Sequence, residues 1–239
     1  MKGYLKILAG EIPDIRFDGT AIHTYQTGPE NPDLDKEIHD YIEMLRPFGY
    51  ADSKIYFDEG MNYFSYTIPS RSMTPYSGNS GNGWYIGMLS YDTGKSEKMA
   101  AAFTIRHYLP MLKYAKNATC ANDFSHLWNF FDYDLTMNVK LTALNVLANM
   151  LGDADYRETL NFAPNARCYL SENADKVPTA VVWGFDPRVD ARTKPAPVFR
   201  FDFKNGRIYD FMGRPAANTE KGPVSLVLGP WPYYVTGAP

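Results

Sequence analysis

Residues 54–63, KIYFDEGMNY, decide how this chain is read. Ile55, Tyr56 and Phe57 make an apolar, strand-like run that stops abruptly at Asp58, Glu59 and Gly60, and a loop rich in aromatic residues follows. Two carboxylates leaving such a strand mark either the point where it reaches water or a place where an acid does chemistry. Side chains alternate along a strand, so Glu59 is expected on the face of Ile55 and Phe57 and Asp58 on the opposite face. The adjacent acids are therefore not expected to act as a pair.

Upstream, residues 17–25, FDGTAIHTY, read as another short strand, followed by the Pro/Gly/Asn loop QTGPENPD. Leu34, Ile38, Tyr41, Ile42, Leu45 and Phe48 then recur at helical spacing. Asp33 is placed to cap that helix and Gly49 to end it. Strand, helix and strand in this order suit a parallel crossover. Downstream, the glycines of SGNSGNG lack the Gly-Lys-Ser/Thr of a phosphate loop. Ser96 is expected to cap a helix with Met99, Phe103, Leu109 and Leu112 on one side and a kink at Pro110. FSHLWNFFDYD, residues 124–134, is the third strand candidate. A helix with Leu141, Leu144, Ala148 and Leu151 on one face is expected to stop at Gly152. His39 and His107 fall on helices and read as surface or structural residues.

From about residue 155 the texture changes. RCYLSE, TAVVWGF, VFRFDF, RIYDFMG, VSLVLG and PYYV are short β-rich runs separated by Pro, Gly, Asn and Asp, the pattern of an antiparallel sandwich. Two domains are expected, residues 1–152 with alternating strands and helices and residues 153–239 all β.

Composition narrows the function classes. The 239 residues are 45% apolar and 21% charged, which is globular rather than disordered. A formal net charge of −3 gives no electrostatic reason to expect nucleic acid or an acidic membrane surface. Cys120 and Cys168 lie too far apart for metal or redox spacing and read as buried free thiols. Asp132 and Asp134 have no Gly or Glu at the calcium-loop offsets, so no metal or other cofactor is expected. Lys6 interrupts the N-terminal apolar run, and no run is long enough for a bilayer, so the chain reads as soluble without a signal peptide. Its location stays open, because a parent enzyme could be secreted through a leader upstream. NAT at 117–119 matches a glycosylation acceptor by its letters only.

Four segments, in order, resemble the C-terminal part of clan A glycoside hydrolases, the retaining TIM-barrel glycosidases that carry a β-sandwich after the barrel. FDGTAIHTY resembles the sixth barrel strand, KIYFDEGMN the seventh with its nucleophilic glutamate, and HLWNFFDYD the eighth with its tryptophan. The tail from AVVWGF to GPWPYYVTG resembles the small sandwich. The resemblance implies a partial (β/α)8 barrel followed by a sandwich, and a carbohydrate substrate. It implies Glu59 as nucleophile, His23 and Tyr25 as neighbours that hold or polarise its carboxylate, and Trp128 as a platform for the sugar. Strand ends at the C-terminal face of a parallel barrel collect reacting groups, which suits these positions.

The same resemblance implies a shortfall. Retaining hydrolysis needs a second carboxyl group about 5 Å from the nucleophile. In the family it comes from the fourth barrel strand, and Glu30 is in the wrong element to replace it. Such a chain is expected to be the nucleophile-bearing part of a split or incomplete enzyme, with a second chain or self-association completing the barrel. The alternative is a non-catalytic carbohydrate-binding or interaction module.

Overall fold

The structure is a computed structural model that describes residues 2–12, 17–24, 30, 33–60, 93–114, 118–120, 137, 139–161, 163–185, 198–201, 206–218 and 224–237. Helix α1 (Lys2–Glu11) precedes β1 (Gly19–Thr24), α2 (Leu34–Leu45) and β2 (Lys54–Gly60). Asp33 caps α2 as expected, its carboxylate accepting from the Asp35 N–H at 3.2 Å. Leu34, Ile38 and Leu45 are buried, and one turn of 3-10 helix leads to Gly49 at φ 78°. That left-handed backbone favours glycine over any residue with a Cβ. β1, β2 and β3 (Ala118–Cys120) then form a parallel sheet in that order. The expected third strand, residues 124–134, lies outside the described residues.

Helix α3 (Thr93–Lys113) is the centre of the molecule. Every residue from Ala101 to Met111 is buried, so this helix is enclosed on all sides rather than laid on a surface. Two expectations fail here. The helix starts at Thr93, placing Ser96 inside it rather than at its cap, and Leu112 is 40% exposed; His107 is fully buried, on the structural side of its expected alternatives. Helix α4 (Val139–Leu151) also presents a different stripe. Its buried residues are Lys140, Ala143, Leu147 and Leu151, while Leu141 and Leu144 are half-buried and Ala148 is exposed. Both sets obey the i, i+3, i+4 rule, and a helix apolar most of the way round does not specify which face turns inward.

The remaining strands are β4 (Asp155–Thr159), β5 (Ala166–Glu172), β6 (Pro178–Gly184), β7 (Val198–Phe201), β8 (Arg207–Asp210), β9 (Pro215–Asn218), β10 (Val224–Val227) and β11 (Tyr233–Thr236). Six form an antiparallel sheet in the order β4–β5–β6–β11–β8–β9, and β7 pairs with β10. Alternation along the inner strands feeds two separate cores. Tyr169, Val181, Trp183 and Tyr234 join the core built with β1, β2 and the helices. Cys168, Ala180, Val182, Ile208 and Val235 join a second core with Phe199 from β7. This is why TAVVWG reads as an unbroken apolar run, since both faces are covered. Burial pushes the Cys168 thiol up to about 12, leaving it protonated and inert at neutral pH.

Three acids around the start of α2 tie the parallel sheet's helix to the antiparallel sheet. The Glu30 carboxylate accepts from Arg106 Nε of α3 at 2.9 Å, from the Arg106 Nη2, and from Trp183 Nε1 of β6 at 2.8 Å. The Arg106 Nη1 donates to the Pro230 carbonyl at 3.3 Å. Asp33, beyond its capping role, accepts from Arg167 of β5 at 2.8 Å. Asp35 accepts from Lys113 at 2.8 Å, from the Tyr114 hydroxyl at 2.7 Å and from the Tyr169 hydroxyl at 3.2 Å. Burial and the Asp35 charge both raise the pKa of Tyr114 and Tyr169, so these phenols stay protonated and can donate.

Glu30→Gln is expected to cost about 3–5 kcal/mol, because it leaves the Arg106 charge buried without a counter-charge. Urea unfolding followed by tryptophan fluorescence measures the loss. In contrast, the Tyr234 hydroxyl is buried without a hydrogen-bond partner among the described residues. Tyr234→Phe is therefore expected to leave stability unchanged or raise it by about 1 kcal/mol in the same assay. Burial also depresses the His107 pKa to about 3, while an unfolded histidine takes up its proton near 6.5. The contribution of neutral His107 is thus fully present above pH 6.5 and lost as pH falls toward 3, at roughly 1 kcal/mol per pH unit. Unfolding measured across that window should show a shallower acid decline in His107→Gln.

Candidate functional site

In a parallel sheet neighbouring strands end on the same side, and the ends of β1 and β2 bring two of the expected site residues together. The register pairs Gly19 with Lys54, Thr20 with Ile55 and Ala21 with Tyr56, then shifts to pair His23 with Glu59 and Thr24 with Gly60. Between Ala21 and His23 there is one intervening residue, whereas between Tyr56 and Glu59 there are two. The register therefore shifts by one residue between these pairs, as at a β-bulge. Bulges of this kind re-aim residues near strand ends, and here the backbone opposite His23 is that of Glu59 and not of Asp58. Tyr25 and Trp128 lie outside the described residues, as do the side chains of Asp58 and Glu59.

The start of this strand pair is held by a close approach. A Cβ on Gly19 would lie 2.5 Å from Tyr56 Cε2 and 2.6 Å from the Lys54 carbonyl oxygen. A real Cβ tolerates neither distance, so a glycine at this position lets the Tyr56 ring lie across β1. Ile22, Ile55 and Phe57 are buried in the core with Leu34 and Ile38. Ala21 and His23 are exposed. The apolar residues thus anchor the strands, and the alternate positions of β1 are left open to solvent.

His23 lines a groove of about 530 Å³ together with Glu37, Asp40, Tyr41 and Met44 of α2. The sequence singled out His23 but none of these helix residues. Their signal was available in the i, i+3, i+4, i+7 spacing of 37, 40, 41 and 44 on the side of α2 next to its buried stripe. An imidazole, a phenol and two carboxylates offer hydrogen bonds of both senses to a polar ligand. Glu30, the other acid in the loop region after β1, is committed to Arg106 and Trp183, and so is not poised for proton transfer. Among the described residues no three His, Cys, Asp or Glu side chains converge as a metal site. No described helix is long and apolar enough to cross a membrane.

No family model matches the chain, and no curated protein sequence matches it. Solved structures do share its fold. A glucosidase from Croceicoccus marinus aligns with a TM-score of 0.59 and 13% sequence identity, over 98% of this chain and 56% of its own. The GH51 arabinofuranosidase from Xanthomonas axonopodis pv. citri aligns with a TM-score of 0.58 and 11% identity, over 98% of this chain and 55% of its own. The chain therefore spans little more than half the length of these structures. At such identities the likeness is one of fold, and the fold is one found within glycoside hydrolases.

Proposed function

We propose that this chain is the nucleophile-bearing part of a retaining O-glycosidase acting on oligo- or polysaccharide. In this reading residues 1–152 are the last units of a (β/α)8 barrel and residues 153–239 a small β-sandwich. The observation that carries it is the pairing of Glu59 with His23 at the C-terminal ends of adjacent parallel strands. The fold likeness to a glucosidase and an arabinofuranosidase along 98% of the chain supports it. Glu59 is the nucleophile, His23 and Tyr25 hold its carboxylate by hydrogen bonds, and Trp128 stacks on the sugar ring. The proton donor to the leaving oxygen is a second carboxyl group about 5 Å from that of Glu59.

A second reading is a carbohydrate-binding or interaction module without catalysis.

The two readings separate on one reaction. A substrate whose leaving group needs no protonation does not require the general acid. With 2,4-dinitrophenyl 2-deoxy-2-fluoroglycosides, a Glu59 carboxylate oxygen bonds to the anomeric carbon as the bond to the phenolate oxygen breaks, and the phenolate departs with the electron pair. Fluorine slows hydrolysis of the resulting ester, so the adduct accumulates. Intact-mass spectrometry of the chain with glucosyl and arabinofuranosyl reagents should show one added sugar, mapped to Glu59 by peptide analysis. Glu59→Gln should show none. Failure of the whole reagent panel to label the chain, or equal labelling of Glu59→Gln, would overturn the nucleophile assignment. Sugar binding in calorimetry without labelling would then support the binding module.

A further inference from the structure

The sequence put Leu144 and Ala148 on the inward face of α4, whereas the structure turns Lys140, Ala143 and Leu147 into the core. The displaced pair has another setting. With Leu147 and Leu151 it lines a cavity of about 520 Å³. Helix α3 contributes Leu109 and Lys113 to the same cavity, β4 contributes Tyr156, and β5 contributes Tyr169 and Ser171. Every residue lining it is a described one. Its volume lies in the range that encloses a small organic molecule. None of its residues belongs to β1, to β2 or to the groove beside His23, so it is separate from the candidate site there.

The lining specifies what fits. Alternation along β5 puts Ser171 on the face of Tyr169. Ser171 is only 5% exposed, and its hydroxyl has no hydrogen-bond partner among the described residues. A buried hydroxyl left unpaired is costly, and one facing a cavity is answered by what fills the cavity. Charge is excluded by the other polar groups. The Lys113 ammonium is committed to both oxygens of Asp35, at 2.8 and 3.0 Å, and Asp155, the other charged lining residue, is exposed. An anion therefore finds no free cation here, and burying it unpaired is unfavourable. The remaining surface is chiefly leucine and tyrosine, with the Tyr156 and Tyr169 rings 6.1 Å apart and tilted by 54°. Tilted ring pairs of this kind accept a further ring by edge or face.

We infer that this cavity binds an uncharged ring compound carrying one hydroxyl, its ring held by leucine and tyrosine side chains and its hydroxyl hydrogen-bonded to Ser171 Oγ. This goes beyond the glycosidase reading and is independent of Glu59.

The test is equilibrium dialysis of the full chain at pH 7 against 2-naphthol, naphthalene and 6-hydroxy-2-naphthoate. The wild type should take up 2-naphthol saturably at one site, and the carboxylate at least ten-fold more weakly. Ser171→Ala should weaken 2-naphthol roughly three- to ten-fold while leaving naphthalene unchanged, a split that a general loss of structure does not produce. Ala148 is exposed on α4, so Ala148→Trp should fold, as circular dichroism checks, and abolish uptake of both by filling the cavity. Absence of saturable 2-naphthol uptake by the wild type would overturn the inference. So would equal affinity for the carboxylate, a Ser171→Ala variant that binds 2-naphthol as the wild type does or loses naphthalene equally, or undiminished uptake by Ala148→Trp.

Discussion

A single buried carboxylate holds the two kinds of sheet in one body. Glu30 meets Arg106 from the enclosed helix α3 and Trp183 from the middle of the antiparallel sheet. The Arg106 side chain is wholly inaccessible, and that of Glu30 is 8% exposed. Removing both charges from water is expensive, and the pair offsets that cost only because its geometry supplies several hydrogen bonds at once. What it secures is placement. α2 can lie in only one way against α3 and the sheet, and Asp33 and Asp35 add the same constraint through Arg167, Lys113 and Tyr169. Tyr169 in turn stacks on Trp183, with centroids 5.6 Å apart and planes 3° off parallel. Charge, phenol and indole therefore form one connected set rather than three separate contacts.

The site depends on that set indirectly. Glu30 follows the end of β1 by six residues in the sequence, and β1 carries His23 opposite the backbone of Glu59. The bulge in β2 performs a complementary task at the neighbouring strand, selecting which of two adjacent acids stands opposite the histidine.

How much of this could be read from the residues depended on the range of the interactions. α2 was legible because its cap, its buried stripe and its terminating Gly49 all lie within the element. The inner strands β5, β6, β8 and β11 were legible from their apolar runs. β4 and β9 were not, and both are the outer strands of the six-stranded sheet. Asp155, Arg157 and Glu158 are exposed on one, and Pro215 on the other, which is how outer strands avoid pairing with foreign chains and also how they lose the alternating signal. The inward face of α4 was ambiguous because a mostly apolar helix has no strongly preferred side. The role of Glu30 was invisible in principle, since its partners lie 76 and 153 residues away. Of the candidate site, His23 and Glu59 were named from the sequence, and the register shift that sets their backbones opposite each other left no mark in the letters.

That last separation bears on how the molecule is made. A ribosome releases the chain from its N-terminus, so Glu30 and Arg106 emerge long before Trp183 and the strands around it. Until the antiparallel sheet exists, the Tyr, Trp and aliphatic side chains that it shares with the helices have only half of their core. The first half of the polypeptide must then wait, hydrated and partly collapsed, for the second. Proteins whose domains fold in turn during synthesis bury each apolar surface soon after it is born. Here the part of α3 that meets the antiparallel sheet stays uncovered until those strands emerge, and closure of such distant contacts is slow. This architecture links the yield of folded protein to protection of the nascent chain by a chaperone.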